Sequence, residues 1–251
     1  MRDVTGRVAW ITGAGTGIGE AAALALAEAG MTVVLSGRRQ DKLEAVAGRI
    51  GGRAEIAVLD VADKAAVAEV AGGILDRHGR IDVLVSSAGV NVPGRHWHQL
   101  DTDDWDRVIR IDLDGAFYCA HAVLPAMIEQ GDGLIVNVSS WAGNHVSMVT
   151  GAAYTAAKHG LNAMTETINM EAGLHGVRAC AVCPGEVATP ILDNRPEPPS
   201  AEDKARMVQP EDCGDIIAFL ARLPPHVCIN ELTVSPTWNR GYVGQARALK
   251  R

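Results

Sequence analysis

Ser140, Tyr154 and Lys158 are the residues whose types and spacing promise chemistry. Tyr154-Thr155-Ala156-Ala157-Lys158 sets a phenol and an ammonium four apart, on one face if the segment is helical. A phenol alone is a poor base at neutral pH, and an ammonium beside it favours the phenolate. Tyr154 is therefore expected to give a proton to a carbonyl oxygen, or take one from an alcohol, during hydride transfer. Ser140 lies fourteen residues earlier, at the end of an apolar run, where its hydroxyl can bond and orient the same oxygen. A Y-x-x-x-K pair on its own reads equally well as an exposed helix pair, so its company decides.

That company is a phosphate cradle. The first apolar run ends in Thr12-Gly13-Ala14-Gly15-Thr16-Gly17-Ile18-Gly19, and a strongly helical segment follows. Glycines there permit a tight turn and let backbone N–H groups approach a pyrophosphate, while the next helix points its positive end at the same anion. The second strand indicates which dinucleotide. A carboxylate about 20 residues on would bond the ribose 2′-OH of NAD. Here the strand end reads Ser36-Gly37-Arg38-Arg39, and arginines suit the 2′-phosphate of NADP. NADP is the expected cofactor, with NAD the alternative. Arg38 and Arg39 also read as the start of a solvated helix.

The elements that must position these groups alternate. Val8–Thr12, Thr32–Ser36, Ala54–Leu59, Val83–Ser86, Leu134–Ser139, Val177–Val182 and Glu231–Val234 read as strands. Helices are predicted at Gly17–Glu28, Asp41–Arg49, Lys64–His78, Asp103–Glu129, Thr150–His175 and Pro210–Arg222. Asp41 with Glu44 suggests a capping box, and Asp101–Asp104 puts carboxylates at a positive helix end. Apolar strands with little alternation imply helices on both faces of a parallel sheet. The expectation is one α/β domain over residues 1–251, a doubly wound Rossmann-type sheet of about seven strands. The Pro-rich stretch Asn194–Ser200 reads as part of a substrate loop or lid spanning 186–209.

Composition closes off other classes. A net charge of −7 without a basic run argues against a nucleic-acid partner. Met1–Arg7 runs into Val8–Ile11 without the pattern of a signal peptide, and the Ala-rich stretch Ala21–Ala27 falls short of the ~20 residues of a membrane span. No membrane association and a cytoplasmic location are expected. Five scattered cysteines argue against a disulfide framework. Cys180 and Cys183 spell C-x-x-C, but on a strand they point to opposite faces.

Taken in order, the glycine loop, Asp60 after the third strand, Ser87-Ala88-Gly89, Ser140, Y-x-x-x-K and Pro184-Gly185 through Thr189 resemble the short-chain dehydrogenase/reductase family. The likeness is to its ~250-residue oxidoreductase branch and spans essentially the whole chain. It implies that Asp60 and Val61 hold the adenine, that Ser87, Ala88, Gly89, Pro184 and Gly185 line the cofactor cleft, and that Lys158 also binds the nicotinamide ribose. Val187 and Thr189 would hold the carboxamide. It further implies a homodimer or homotetramer packed through two long helices. Two positions depart from the family pattern. Ser86-Ser87 stands where relatives carry Asn-Asn, and Asp112 where they carry an asparagine supporting a water-linked proton relay to the lysine. An ionised Asp112 would stabilise Lys158 as a cation, giving retained activity with an altered pH profile; the alternative is a weakened relay and slower turnover.

Substrate identity is not readable. His145, Glu186, Trp141 and His96 are the candidate substrate contacts. His96-Trp97-His98 has a metal-like spacing with no acidic or cysteine ligand beside it, so no metal is expected. Trp238 suits a substrate or subunit surface. The leading expectation is an NADP(H)-dependent oxidoreductase acting on a small carbonyl or alcohol. An NAD-dependent alcohol or sugar dehydrogenase and a non-catalytic dinucleotide-binding protein are the alternatives. A sugar epimerase would need a larger carboxy-terminal domain than this length allows.

Overall fold

Strand β1 (Val8–Thr12) is buried at every position, with Ala9 and Ile11 packed to one side of the sheet and Val8 and Trp10 to the other. A strand covered on both faces needs no polar alternation, which is why it reads as an unbroken apolar run. The computed structural model describes residues 1–195 and 197–243. Around β1 lie β2 (Thr32–Gly37), β3 (Ala54–Val58), β4 (Val83–Ser86), β5 (Gly133–Val138), β6 (Val177–Pro184) and β7 (Glu231–Val234). All pairs are parallel and the order is β3-β2-β1-β4-β5-β6-β7. The order reverses between β1 and β4, and a crevice opens there above the carboxyl ends of the strands.

Helices cover both faces. On one, α1 (Gly17–Glu28), α2 (Gln40–Ile50) and α8 (Pro210–Ala221) bury Leu26, Leu43 and Ile217 against Ile11 and Leu35. On the other, α3 (Lys64–His78), α5 (Gly115–Gln130) and α6 (Ala152–Ala172) bury Ile74, Val123 and Ile168 against Trp10 and Ile135. The seven strands and the two covered faces match the sequence expectation. Cys180 and Cys183 do lie on opposite faces of β6, the first against the α1 side and the second beside Asn162 of α6. Burial pushes the Cys180 thiol up to about 12 and raises that of Cys183.

Three local expectations change. The helix predicted at Asp103–Glu129 is α4 (Thr102–Ile109), a π-helical turn Arg110–Asp114, and then α5. This stretch, Thr102–Gln130, is long and apolar enough to cross a membrane by length and composition, but Cys119, Ala120, Val123 and Met127 are packed in the core. Asp101 caps α4 as expected, accepting from the Asp104 N–H at 2.7 Å. The Asp41–Glu44 capping box is absent. Helix α2 starts one residue early, at Gln40, so Asp41 lies inside the first turn and Gln40 bonds Glu44 instead. A short helix, α7 (Ala201–Ala205), also appears between β6 and α8, closed by a Ser200–Asp203 capping box. Within the Pro-rich stretch, Pro196 lies outside the described residues.

Helix α6 carries Tyr154 and Lys158, so its seat on the sheet matters most. Ala181 N–H bonds Asn230, so the odd-numbered residues of β6 aim their backbone groups toward β7. Strand β7 begins opposite Ala181, leaving Ala179 without a ladder partner on that side. The Asn169 carboxamide takes both groups, accepting from Ala179 N–H at 2.6 Å and donating to its carbonyl at 2.8 Å. A second clamp joins Asn137 of β5 to Thr165 at 2.9 Å. Replacing Asn169→Leu strands the buried Ala179 N–H, leaves its carbonyl only the Cys228 thiol at 3.5 Å, and should lower the unfolding free energy by about 2 kcal/mol in urea titrations. An unchanged midpoint would show that the clamp is dispensable.

Candidate active site

The cradle forms at the carboxyl end of β1. Gly13 has φ +65°, and a Cβ there would lie 2.8 Å from the backbone of Ser87 and Ala88. Only glycine lets the loop turn this tightly against the end of β4. Thr12 Oγ1 ties the same edge, accepting from the Ser87 and Ala88 N–H groups at 3.2 and 3.3 Å. Thr16 precedes α1 without capping it through its side chain, so the first turn keeps N–H groups for an anion. Gly13, Gly15, Thr16, Gly17 and Ile18 line a cleft of about 320 Å³, while Gly19 supports them from within α1.

Most other expected residues meet in this cleft. Arg38, Arg39, Asp60, Val61, Ser87, Ala88, Gly89, Pro184, Gly185, Val187 and Thr189 all line it. Arg38 and Arg39 are exposed at its mouth after β2. Lys42, on the first turns of α2, joins them; sequence reading passed over it as one more helix-surface lysine. An uncapped helix end, a glycine turn and three basic side chains at the ribose end fit a dinucleotide carrying an extra phosphate.

Ser140, Tyr154 and Lys158 line the same cleft. Ser140 follows β5 and starts a 3₁₀ turn, its Oγ accepting from the Ala142 N–H at 3.1 Å. That acceptor role leaves its own proton free to point at a ligand. One helical turn separates Tyr154 from Lys158, and the Lys158 ammonium lies 5.4 Å from the phenol ring centroid. Lys158 is 4% exposed, and its Nζ donates to the Val138 carbonyl at the end of β5 at 3.0 Å. Asp112 Oδ2 stands 3.6 Å from Nζ, an ion pair beyond hydrogen-bond length.

Asp112 itself does not line the cleft. It is buried at 1% exposure in the π turn, behind Gly89, where its Oδ1 accepts from the Val90 N–H at 2.7 Å. The expected pairing of Asp112 with Lys158 is present, but the carboxylate is not among the residues that line the cleft. Burial pushes its carboxyl up to about 6, against the opposing pull of Lys158 and of the Val90 N–H.

The substrate end differs from expectation. Glu186 lines the cleft, but Arg195 and Arg240 hold both its oxygens, Arg195 at 2.6 Å and Arg240 at 2.5 and 2.7 Å. Burial works against its charge, and those hydrogen bonds outweigh it, keeping the carboxyl below its ordinary value. His145, Trp141 and His96 are not among the lining residues: His145 is exposed and packs on Trp141 at 4.7 Å, and His96 stacks on His98. Trp238 lies under Arg206 at 5.3 Å. In their place the walls are built by Asn91, Arg95, Thr150, Ile191, Leu192 and Arg195. Asn91 and Arg95 follow Gly89 on a loop with no periodic pattern, so no sequence signal marked them.

The rise of the Asp112 carboxyl has a definite sign. Its folded-state value lies above the unfolded one, so the folded protein holds the proton longer as pH rises from about 4 to about 6. Stability is lost across that window, by up to about 3 kcal/mol, and the deficit persists above it. Asp112→Asn should remove this dependence in urea titrations at pH 4 and pH 7, and should abolish an inflection near pH 6 in the rate profile. Profiles that superimpose would refute the assignment.

Residues 7–199 match the short chain dehydrogenase family. An uncharacterized oxidoreductase of Staphylococcus aureus (strain N315) is 33% identical over 237 residues, covering 94% of this chain and 100% of that protein. A crystal structure of a metagenomic short-chain oxidoreductase in complex with NADP is 37% identical, with a TM-score of 0.82 over 94% of this chain and 100% of that one. An alcohol dehydrogenase from the archaeon Thermococcus sibiricus, complexed with 5-hydroxy-NADP, is 28% identical with a TM-score of 0.84, covering 93% and 98%. With the sheet order, the glycine cradle and the Ser140–Tyr154–Lys158 constellation in hand, the chain belongs to the short-chain dehydrogenase family of oxidoreductases.

Proposed function

We propose that the protein interconverts an alcohol with a ketone or aldehyde, using NADP(H), with Tyr154 as acid and base. The seat of Lys158 supports this most: its ammonium is fixed by Val138 and Asp112 and lies beside the phenol, in the cleft that also holds the glycine cradle. Bound there, NADP(H) would supply or accept the hydride. When a carbonyl is reduced, Tyr154 gives its hydroxyl proton to the oxygen, and Ser140 donates a second hydrogen bond to it. Lys158 favours the phenolate left behind, so the same group can take the proton of an alcohol in the reverse direction.

The glycine loop takes the pyrophosphate, Asp60 and Val61 the adenine, and Val187 and Thr189 the carboxamide. Arg38 and Arg39, with Lys42, take the 2′-phosphate, a reading supported by the NADP in two similar solved structures. The segment 186–209 acts as a lid. It is pinched at its base by the Val187–Val208 bridge and braced by a Lys204–Asp193 ion pair at 2.6 Å. Copies of the chain would pair through α5 and α6, which leave Phe117 and Met170 exposed.

Two variants test the reading. Tyr154→Phe should lower kcat by about 1,000-fold with little change in NADPH affinity, measured by absorbance and fluorescence titration. Unaltered turnover would refute the mechanism. Arg38→Asp should weaken NADPH binding by about 100-fold and spare NADH. A constant NADPH-to-NADH ratio would return NAD as the cofactor.

A further inference from the structure

Ser140 is held by the sheet on one side only. Its neighbour Ser139 donates its N–H to the Val182 carbonyl at 2.8 Å, and the Ser139 hydroxyl lies 3.4 Å from the Lys158 carbonyl. Beyond Ser140 the chain leaves β5 through the 3₁₀ turn Trp141–Gly143, where the Gly143 N–H returns to the Ser140 carbonyl at 2.8 Å. So short a turn closes on few, poorly aligned bonds, and its placement depends on what packs against it. The Ser140 hydroxyl takes its direction from that turn, because the Ala142 N–H is its partner.

Asn162 is what packs there. It lies on α6 one helical turn past Lys158, so both side chains leave the same face of the helix. A Cβ at Gly143 would stand 2.8 and 2.9 Å from Nδ2 and Oδ1 of the Asn162 carboxamide, and 2.6 Å from Ser139 Oγ. The turn therefore rests directly on the carboxamide, with no room for a side chain between them. Asn162 Nδ2 donates to Asn144 Oδ1 at 2.8 Å, and Asn144 Nδ2 donates to Glu231 of β7 at 2.7 Å. The Cys183 thiol of β6 lies against the same carboxamide, 3.6 Å from Nδ2 and 3.7 Å from Oδ1. Contacts from β6, from the residue that ends the turn, and through it from β7 thus meet on one side chain of the helix that carries Tyr154 and Lys158.

We infer that Asn162 is a positioning residue of the site: its carboxamide fixes the Ser140 turn against α6 and so sets the serine hydroxyl at its distance from Tyr154. Asn162 is not among the residues that line the cleft, so it acts through Ser140 and not on a ligand. The inference rests on the proposed reaction for what the hydroxyl does, but where the hydroxyl is held can be read without turnover.

Hydrogen exchange on the NADP-loaded protein tests the placement. In Asn162→Ala the Ala142 and Gly143 N–H groups should exchange about tenfold faster, while the Ala179 N–H, held by Asn169, stays as it was. Equal exchange at Ala142 in parent and variant would overturn the inference. Reduction of 4-nitrobenzaldehyde and of ethyl pyruvate by NADPH tests the consequence. Asn162→Ala should lower kcat about tenfold with the KM for NADPH within about twofold, and Ser140→Ala should lower kcat further. In the Ser140→Ala background the Asn162 change should cost less than about twofold, because the group it positions is gone. A second loss of about tenfold there would mark a general weakening of the fold and overturn the positioning role. Because Asn162 is partly buried, the exposed Asn144 supplies a second variant: Asn144→Ala should lower kcat about threefold in the parent and change nothing in Ser140→Ala. Faster exchange at Ala142 in a protein that reduces neither carbonyl would uphold the placement and count against the proposed reaction. Faster exchange with full activity in Ser140→Ala would uphold it too, and remove the serine from that reaction.

Discussion

A buried ammonium is the constraint around which this molecule is arranged. Lys158 is almost fully removed from water, and an unpaired charge there would be costly. Three elements share the task of holding it: the Val138 carbonyl at the end of β5, Asp112 in the turn between α4 and α5, and the helix α6 on which it sits. Each must be placed to within a fraction of an ångström for the charge to be tolerated. The Asn169 and Asn137 clamps that fix α6 on the sheet are thus part of the site's electrostatics, although they stand well below the cleft.

The second organising fact is that every strand in the parallel sheet ends on the same side. Thr12, Ser36 and Ser86 stand in register, as do Val138 and Val182, so the loops that follow converge on one edge. The glycine turn after β1 and Ser140, Tyr154 and Lys158 after β5 therefore open into one cleft without any special device. Charged residues after β6 close the far end: Glu186 is clasped by Arg195 and by Arg240 from beyond β7.

Fold and cradle were legible because they rest on short-range rules. Unbroken apolar strands, a glycine turn and a Y-x-x-x-K spacing state their geometry within a few residues. What sequence reading missed lies where geometry is set at long range. The π turn at Arg110–Asp114 interrupts one continuous apolar segment, and the Asp41–Glu44 pattern lost to a helix that began one residue earlier. Arg95 is hidden for the same reason, since its burial depends on Gly151 and Val149, more than fifty positions away. His145 and Trp141 were drawn to the substrate by their position between Ser140 and Tyr154. In the structure the two rings pack on each other, and neither is among the residues that line the cleft.

The aspartate at position 112 completes a buried charge pair beside the phenol. Once ionised, above about pH 6, Asp112 offsets much of the positive field that Lys158 presents to the phenol. A neutral asparagine at that position would leave the ammonium's field intact. Here a second cation, Arg95, interacts with Tyr154 from the opposite loop, and its own charged form is favoured by that contact. The phenol has Lys158 beside it on α6, with Asp112 behind that ammonium in the π turn. Each charge of that pair offsets part of the other's desolvation cost, which is how the site can bury an aspartate beside its lysine.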